Sequence, residues 1–196
     1  MSKARTAVLI SGRGSNMMAL VEAARAPEYP AEIVCVVSSR ADAGGLDFAA
    51  ANGIATRAIS HKDYATREAY DSAIDVYLRS MKVEAIALAG FMRVLSADFV
   101  AGWDGRILNI HPSLLPAYKG LHTHERAIAD GARIAGCSVH LVTPELDGGP
   151  VLLQAEVPVL PADTPGTLAA RVLRQEHRIY PQALAWLANR IIEDRE

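Results

Sequence analysis

The sequence predicts an α/β fold, a single domain built on a mostly parallel twisted sheet with helices on both faces and an antiparallel C-terminal strand pair. Three observations carry this prediction. Short apolar runs alternate with longer stretches of helical periodicity through the first two thirds of the chain, a pattern that specifies parallel strands joined by crossover helices. The glycine-containing loop Gly12 to Asn16 follows the first apolar run and opens the first helical stretch. In the last third, two apolar runs follow one another with only a loop between them, which suits strands that need no crossover.

Taken in order, Ala7 to Ile10 reads as the first strand and Asn16 to Ala26 as the first helix. Ile33 to Val37 and Ala43 to Asn52 form the next strand and helix, and Ile54 to Ile59 and Thr66 to Met81 the pair after that. Ala85 to Leu88, Ala97 to Gly102 and Ile107 to Ile110 complete the alternation. Gly136 to Val142 and Val151 to Val159 then read as a pair of edge strands around the loop Pro144 to Pro150. A long terminal helix follows: Asp163 or Thr164 can cap it, Pro165 suits its first turn, and apolar residues recur from Leu168 through Ile192. The whole is Rossmann-like, and ligands in such sheets bind beyond the carboxyl ends of the strands near a switch point. Both Gly12 to Asn16 and Asn109 to His111 fall at strand ends of this kind.

Composition bounds the function classes. With 196 residues, 51% apolar and 21% charged, the chain suits one globular domain with a sizeable core, spanning residues 1–196. Twenty basic residues against twenty-two acidic ones give a net charge of −2, so no nucleic-acid footprint is expected. Cys35 and Cys137 are isolated in apolar runs and read as buried small hydrophobes. No stretch approaches the roughly 20 apolar residues of a membrane span, and no signal-peptide segment opens the chain. A reducing cytoplasm is the expected location, with no membrane partner.

Asn109 and His111 alternate on the fifth strand, so both side chains point to one face. An amide and an imidazole side by side can hold a developing oxyanion, and a carboxylate such as Asp147 can orient the ring and favour its charged form. Each residue also has a plain structural reading: a turn-capping amide, a strand-end histidine before proline, an Asx-turn aspartate before two glycines. The loop Ser11-Gly12-Arg13-Gly14-Ser15-Asn16 aims free backbone N–H groups at an anion. Met17 stands where a dinucleotide site has its third glycine, and the second strand ends in Val37-Ser38-Ser39-Arg40 without a carboxylate. The loop therefore reads as a site for one phosphate, or as a tight turn that binds nothing. No His-Glu-x-x-His pattern occurs among the six histidines, and no metal is expected. His122 and His124 are assigned to a loop leading into a helix from Glu125, and His61 to the surface.

Four motifs in order, Ser11 to Asn16, Ala89-Gly90-Phe91-Met92-Arg93, Asn109 to Pro116 with Gly120 to His124, and Leu146 to Pro150, resemble those of the folate-dependent formyltransferases. The likeness is strongest to the branch that formylates glycinamide ribonucleotide in purine synthesis. It covers nearly the whole chain. The resemblance implies that 10-formyltetrahydrofolate is the co-substrate, that glycinamide ribonucleotide is the acceptor, and that Asn109, His111 and Asp147 are catalytic. It further implies ribonucleotide binding by Gly14, Ser15, Asn16, Leu173, Arg174, Gln175 and Glu176. Folate would meet Arg67, the segment Met92, Arg93, Val94 and Leu95, Asn109, and the loop Thr143, Pro144, Glu145, Leu146 and Asp147. Ser138 and His140, which alternate on a neighbouring strand, would support the site from behind. For Met92 and Val94 the plain structural reading is core packing; for Arg67 and Glu176 it is a solvated helix charge. Monomer and homodimer both remain open. Transfer-RNA and sugar-nucleotide formyltransferases share Asn-x-His but add a domain for their larger substrates. Formyltetrahydrofolate deformylase, in which water replaces the amine, is a hydrolase rival, and a silent binding module is a rival without chemistry.

Overall fold

The computed structural model describes residues 2–195. A seven-stranded sheet in the order β3-β2-β1-β4-β5-β6-β7 forms its centre. The strands are β1 (Ala4–Ile10), β2 (Ala31–Ser38), β3 (Ala55–Ala58), β4 (Ala85–Leu88), β5 (Ile107–His111), β6 (Ile134–Leu141) and β7 (Val151–Pro158). β1 to β5 run parallel, and β5-β6 and β6-β7 pair antiparallel. The helices are α1 (Ser15–Ala24), α2 (Gly44–Ala51), α3 (Arg67–Ser80), α4 (Ala97–Gly102), α5 (Thr123–Ala129) and α6 (Pro165–Glu193), with a short 3-10 turn at His61–Asp63. The predicted fold class stands, with one correction. β6 is an interior strand between β5 and β7, so of this C-terminal pair only β7 is an edge. The near-complete burial of β6 reflects that place.

Alternate residues of β1 and β4 feed two separate cores. Val8, Ile10, Ala85 and Ala87 pack with Leu20, Leu168 and Leu184 of α1 and α6. Leu9, Ile86 and Leu88 pack with Ile74, Leu78 and Phe99 of α3 and α4 on the other face. Strands buried on both sides need apolar residues at every position, which is why they read as continuous runs. α6 starts as its sequence predicts: Thr164 accepts from Thr167 N–H, the Thr167 hydroxyl accepts from Thr164 N–H, and Pro165 lies in the first turn. The buried Tyr180 of α6 bridges two strands, with its hydroxyl 2.8 Å from the carbonyl of Leu88 and 3.2 Å from that of Leu108. Leu88 ends β4, and Leu108 precedes Asn109, the partner of Leu88 on β5. The helix is thereby fixed against β4 and β5, beside the strand ends where the chain reverses its order across β1 and β4.

Candidate active site

A cavity of about 680 Å³ opens beyond those strand ends. Asn109, His111, His140 and Asp147 line it together. The two-residue spacing on β5 does what the sequence predicts, bringing Asn109 and His111 to one face. His140 stands directly across from Asn109 on β6, and its Nε2 is 3.1 Å from Asn109 Nδ2. His140 Nδ1 donates to the Leu141 carbonyl at 2.9 Å, which leaves Nε2 as an acceptor in the neutral ring. Burial lowers the pKa of His140, with the nearby His111 and Lys119 adding to this and Asp147 opposing it. The neutral ring thus takes one N–H of the Asn109 amide. The second N–H of the same nitrogen remains for a ligand.

His111 is 6% exposed. Its Nε2–H donates to the Tyr118 carbonyl at 2.9 Å, so Nδ1 is the edge that meets Asp147, 3.5 Å from Oδ2. Asp147 adopts φ 49, a left-handed conformation that Asp tolerates better than most residues. Its Oδ2 accepts from Gly120 N–H at 2.9 Å, and its Oδ1 lies 3.7 Å from His140 Nε2. The loop can come this close only because Gly149 has no side chain: a Cβ there would sit 1.8 Å from the Leu141 carbonyl oxygen. Ser138, opposite His111 on β6, does not line the cavity. Its hydroxyl donates to Ser113 O and accepts from Leu115 N–H and Gln154, pinning the turn after β5, in which the Leu115–Pro116 peptide is cis.

One wall is apolar. Met92, Arg93, Val94 and Leu95 lie along it after β4, with Phe91 and Leu121, and Thr143 to Asp147 close the opposite side. Met92, Val94, Leu121 and Leu146 are large apolar side chains left more than half exposed, and all four line this cavity. Such a cluster marks a surface that a partner or ligand covers. On the rim, Lys119 pairs with Glu145 at 2.8 Å.

Asn16 and Glu176 mark the other end of the cavity. Asn16 Nδ2 donates to Glu176 Oε2 at 2.6 Å, and the Asn16 Oδ1 is buried without a partner. Glu176, on α6, is 7% exposed. Burial raises its pKa, and the hydrogen bond from Asn16 opposes that shift. The helical Glu is therefore no solvated surface charge. Gly14 and Ser15 precede Asn16 at the start of α1, where Gly14 takes φ 70 as N-cap and the first-turn amides have no acceptor within the helix. Neither residue lines the cavity itself, and neither do Leu173, Arg174 and Gln175. Arg67 also lies outside it, exposed at the first position of α3, with Glu68 3.6 Å away.

Two histidine assignments need correcting. α5 begins at Thr123, not at Glu125. His122, with φ 57, is its N-cap and His124 lies in its first turn; both line the cavity. The left-handed residue ends the loop earlier than propensity suggests. Burial lowers the pKa of His124. His61 is not a free surface residue: it packs edge-on against Tyr70, centroids 6.4 Å apart, and its Nδ1 is buried. Among the described residues no group of three or more His, Cys, Asp or Glu side chains is placed to hold a metal ion, and no helix is long and apolar enough to cross a membrane. Tyr118, whose carbonyl holds His111, escapes the sequence reading, and Gly120, whose N–H holds Asp147, enters it only as part of a motif without that role. The only local signal for them is that both are left-handed, which shapes the loop.

Residues 4–184 match the family model described as formyl transferase. The chain belongs to the formyl transferase family. Relatives of this formyl transferase include the phosphoribosylglycinamide formyltransferase of Escherichia coli K12, 48% identical over 182 residues that cover 93% of this chain and 86% of that protein. The crystal structure of phosphoribosylglycinamide formyltransferase from Brucella melitensis is 57% identical, with a TM-score of 0.92, over 95% of this chain and 96% of that one. The human trifunctional purine biosynthetic protein adenosine-3 is 48% identical over 191 residues. There the matched region covers 97% of this formyl transferase but only 19% of the relative's length.

Proposed function

We propose that this formyl transferase moves the formyl group of 10-formyltetrahydrofolate to the amine of glycinamide ribonucleotide. The observation that carries the reading is the convergence of Asn109, His111 and Asp147 on one cavity, with an apolar wall on one side and the Asn16–Glu176 pair at its end. The apolar wall suits a flat pteridine ring. The N-terminus of α1 suits the ribonucleotide phosphate, and Glu176 suits the glycinamide amine.

The amine nitrogen bonds to the formyl carbon and the carbonyl oxygen becomes an oxyanion. The free N–H of Asn109 is one donor to it, and the Nδ1–H of the doubly protonated His111 ring is the other. A doubly protonated His111 ring has both N–H groups accommodated, one on the Tyr118 carbonyl and one beside the Asp147 carboxylate. The bond from the formyl carbon to the folate nitrogen then breaks. The proton lost by the amine passes to that nitrogen, relayed by Asp147 and His111 directly or through water. Tetrahydrofolate and the formylated ribonucleotide leave.

Absorbance-followed turnover of purified protein with 10-formyltetrahydrofolate, with and without glycinamide ribonucleotide, tests the reading. Folate release that requires the ribonucleotide is the expected result. Equal release without it makes the protein a deformylase, and none in either run ends the proposal.

Glu176 gives a second expectation. Its folded-state pKa is raised by burial, so it penalises the folded state once pH climbs above the unfolded carboxyl's value near 4.3, and the penalty vanishes in more acidic solution. Glu176→Gln removes this penalty and keeps an acceptor for Asn16. The variant should melt higher than wild type at pH 7 and equal to it in acid, each kcal/mol recovered being worth about 2–4 °C. It should also show a ribonucleotide KM raised by at least about tenfold, with the folate KM little changed. A thermal melt across pH and the two KM values check both halves.

A further inference from the structure

The apolar wall rests on a segment with little regular structure. From Gly90 to Leu95 the chain belongs to no strand or helix, yet it presents Met92 and Val94 at 63% and 57% exposure. Side chains so exposed contribute little packing that could fix the backbone beneath them. Beside the packing of Leu95 and Phe91, two buried polar side chains outside the cavity lining do that. Ser11, at the end of β1, accepts from Met92 N–H at 2.9 Å, and its hydroxyl is braced by that of Ser39 at 2.6 Å. Asp71, on α3, accepts from Ser96 N–H through Oδ2 at 2.6 Å. Ser96 directly follows Leu95, and its own hydroxyl caps α4 on Phe99 N–H.

Asp71 is 2% exposed, and its Oδ1 is buried with no hydrogen-bond partner. A carboxylate in such a place is costly for stability, so packing alone does not explain it. Ser11 is 7% exposed and lies 81 positions from Met92 in sequence. Together with the buried Leu95, the two tethers hold the segment, while Met92 and Val94 between them stay free to meet a ligand.

We propose that Ser11 and Asp71 are positioning residues that fix the folate-contacting segment from behind, setting the affinity for the pteridine ring without touching it. This rests on the reading of the cavity as a folate site. The test compares Ser11→Ala, Asp71→Ala and Asp71→Asn with wild type. Calorimetric titration with tetrahydrofolate gives the affinity, turnover gives kcat and both KM values, and a thermal melt gives stability. Loss of one tether should weaken tetrahydrofolate and raise the folate KM by about 5- to 10-fold. In Asp71→Ala the ribonucleotide KM should stay within about twofold. Asp71→Asn keeps an amide oxygen for Ser96 N–H, and its folate affinity should return to that of wild type.

A lower melting temperature with unmoved KM values in Ser11→Ala and Asp71→Ala would leave these residues merely structural and overturn the inference. So would a parallel rise of both KM values in Asp71→Ala, or an Asp71→Asn variant no better than Asp71→Ala. Wild-type protein that binds no tetrahydrofolate would instead bring down the folate reading itself, a result distinguishable because it precedes any substitution.

Discussion

Asp147→Asn is expected to slow formyl transfer by at least 10² to 10³, about 3–4 kcal/mol in the barrier, the size typical of removing one charge-stabilising group from a preorganised site. The substitution separates charge from shape. Asp147 accepts from Gly120 N–H through Oδ2, and an asparagine can keep that bond with its amide oxygen. The left-handed backbone at this position also suits asparagine. The loop should therefore keep its place over β6. What disappears is the negative charge facing His111 Nδ1 at 3.5 Å and His140 Nε2 at 3.7 Å. The loss should fall in kcat, with both KM values little changed, because the charge matters most when the imidazole must carry a proton. Near-normal turnover by the folded variant would remove Asp147 from the mechanism.

His111→Ala should lose a similar factor, 10² to 10³ or more. It removes the Nδ1 edge and the proton relay at once. The Tyr118 carbonyl also loses its donor, but the Ser113 hydroxyl still approaches it at 3.3 Å, so one tether of the loop survives. If His111 and Asp147 act as one unit, the double variant should be little slower than the slower single variant, because groups that work together are not additive. Multiplying losses would mean that the two residues act independently. Steady-state rates of the two single variants and the double variant decide between these.

The fold was legible because strands buried on both faces leave a continuous apolar signature and crossover helices leave a periodic one. Ends were less legible. β1 begins at Ala4 rather than Ala7 because Arg5 and Thr6, which break the apolar run, are held by pairing with β2 and by the bonds from Arg5 to the Met81 carbonyl. Asn109 and His111 could be placed on one face because a strand alternates strictly. The parts of the site that sequence could not place depend on contacts between distant segments. Glu176 sits on an amphipathic helix like many surface glutamates, and only the arrival of Asn16, 160 positions away, shows that it is buried. The tethers from Ser11 and Asp71 end on backbone N–H groups, which carry no residue type that a sequence pattern could register. His140 came closer than expected because the β5-β6 register sets it directly against Asn109.

The placement of Glu176 and Tyr180 on α6 has a consequence for biosynthesis. The ribosome makes this helix after every strand of the sheet and after all three of Asn109, His111 and Asp147. Until Tyr180 has left the exit tunnel, the carbonyls of Leu88 and Leu108 lack the hydroxyl that bridges them, and the core beside α1 lacks Leu168 and Leu184. A nascent chain can thus hold Asn109, His111 and Asp147 before the core beneath them is packed and before Glu176 completes the cavity lining. Ligand binding should begin abruptly, once α6 has emerged and packed.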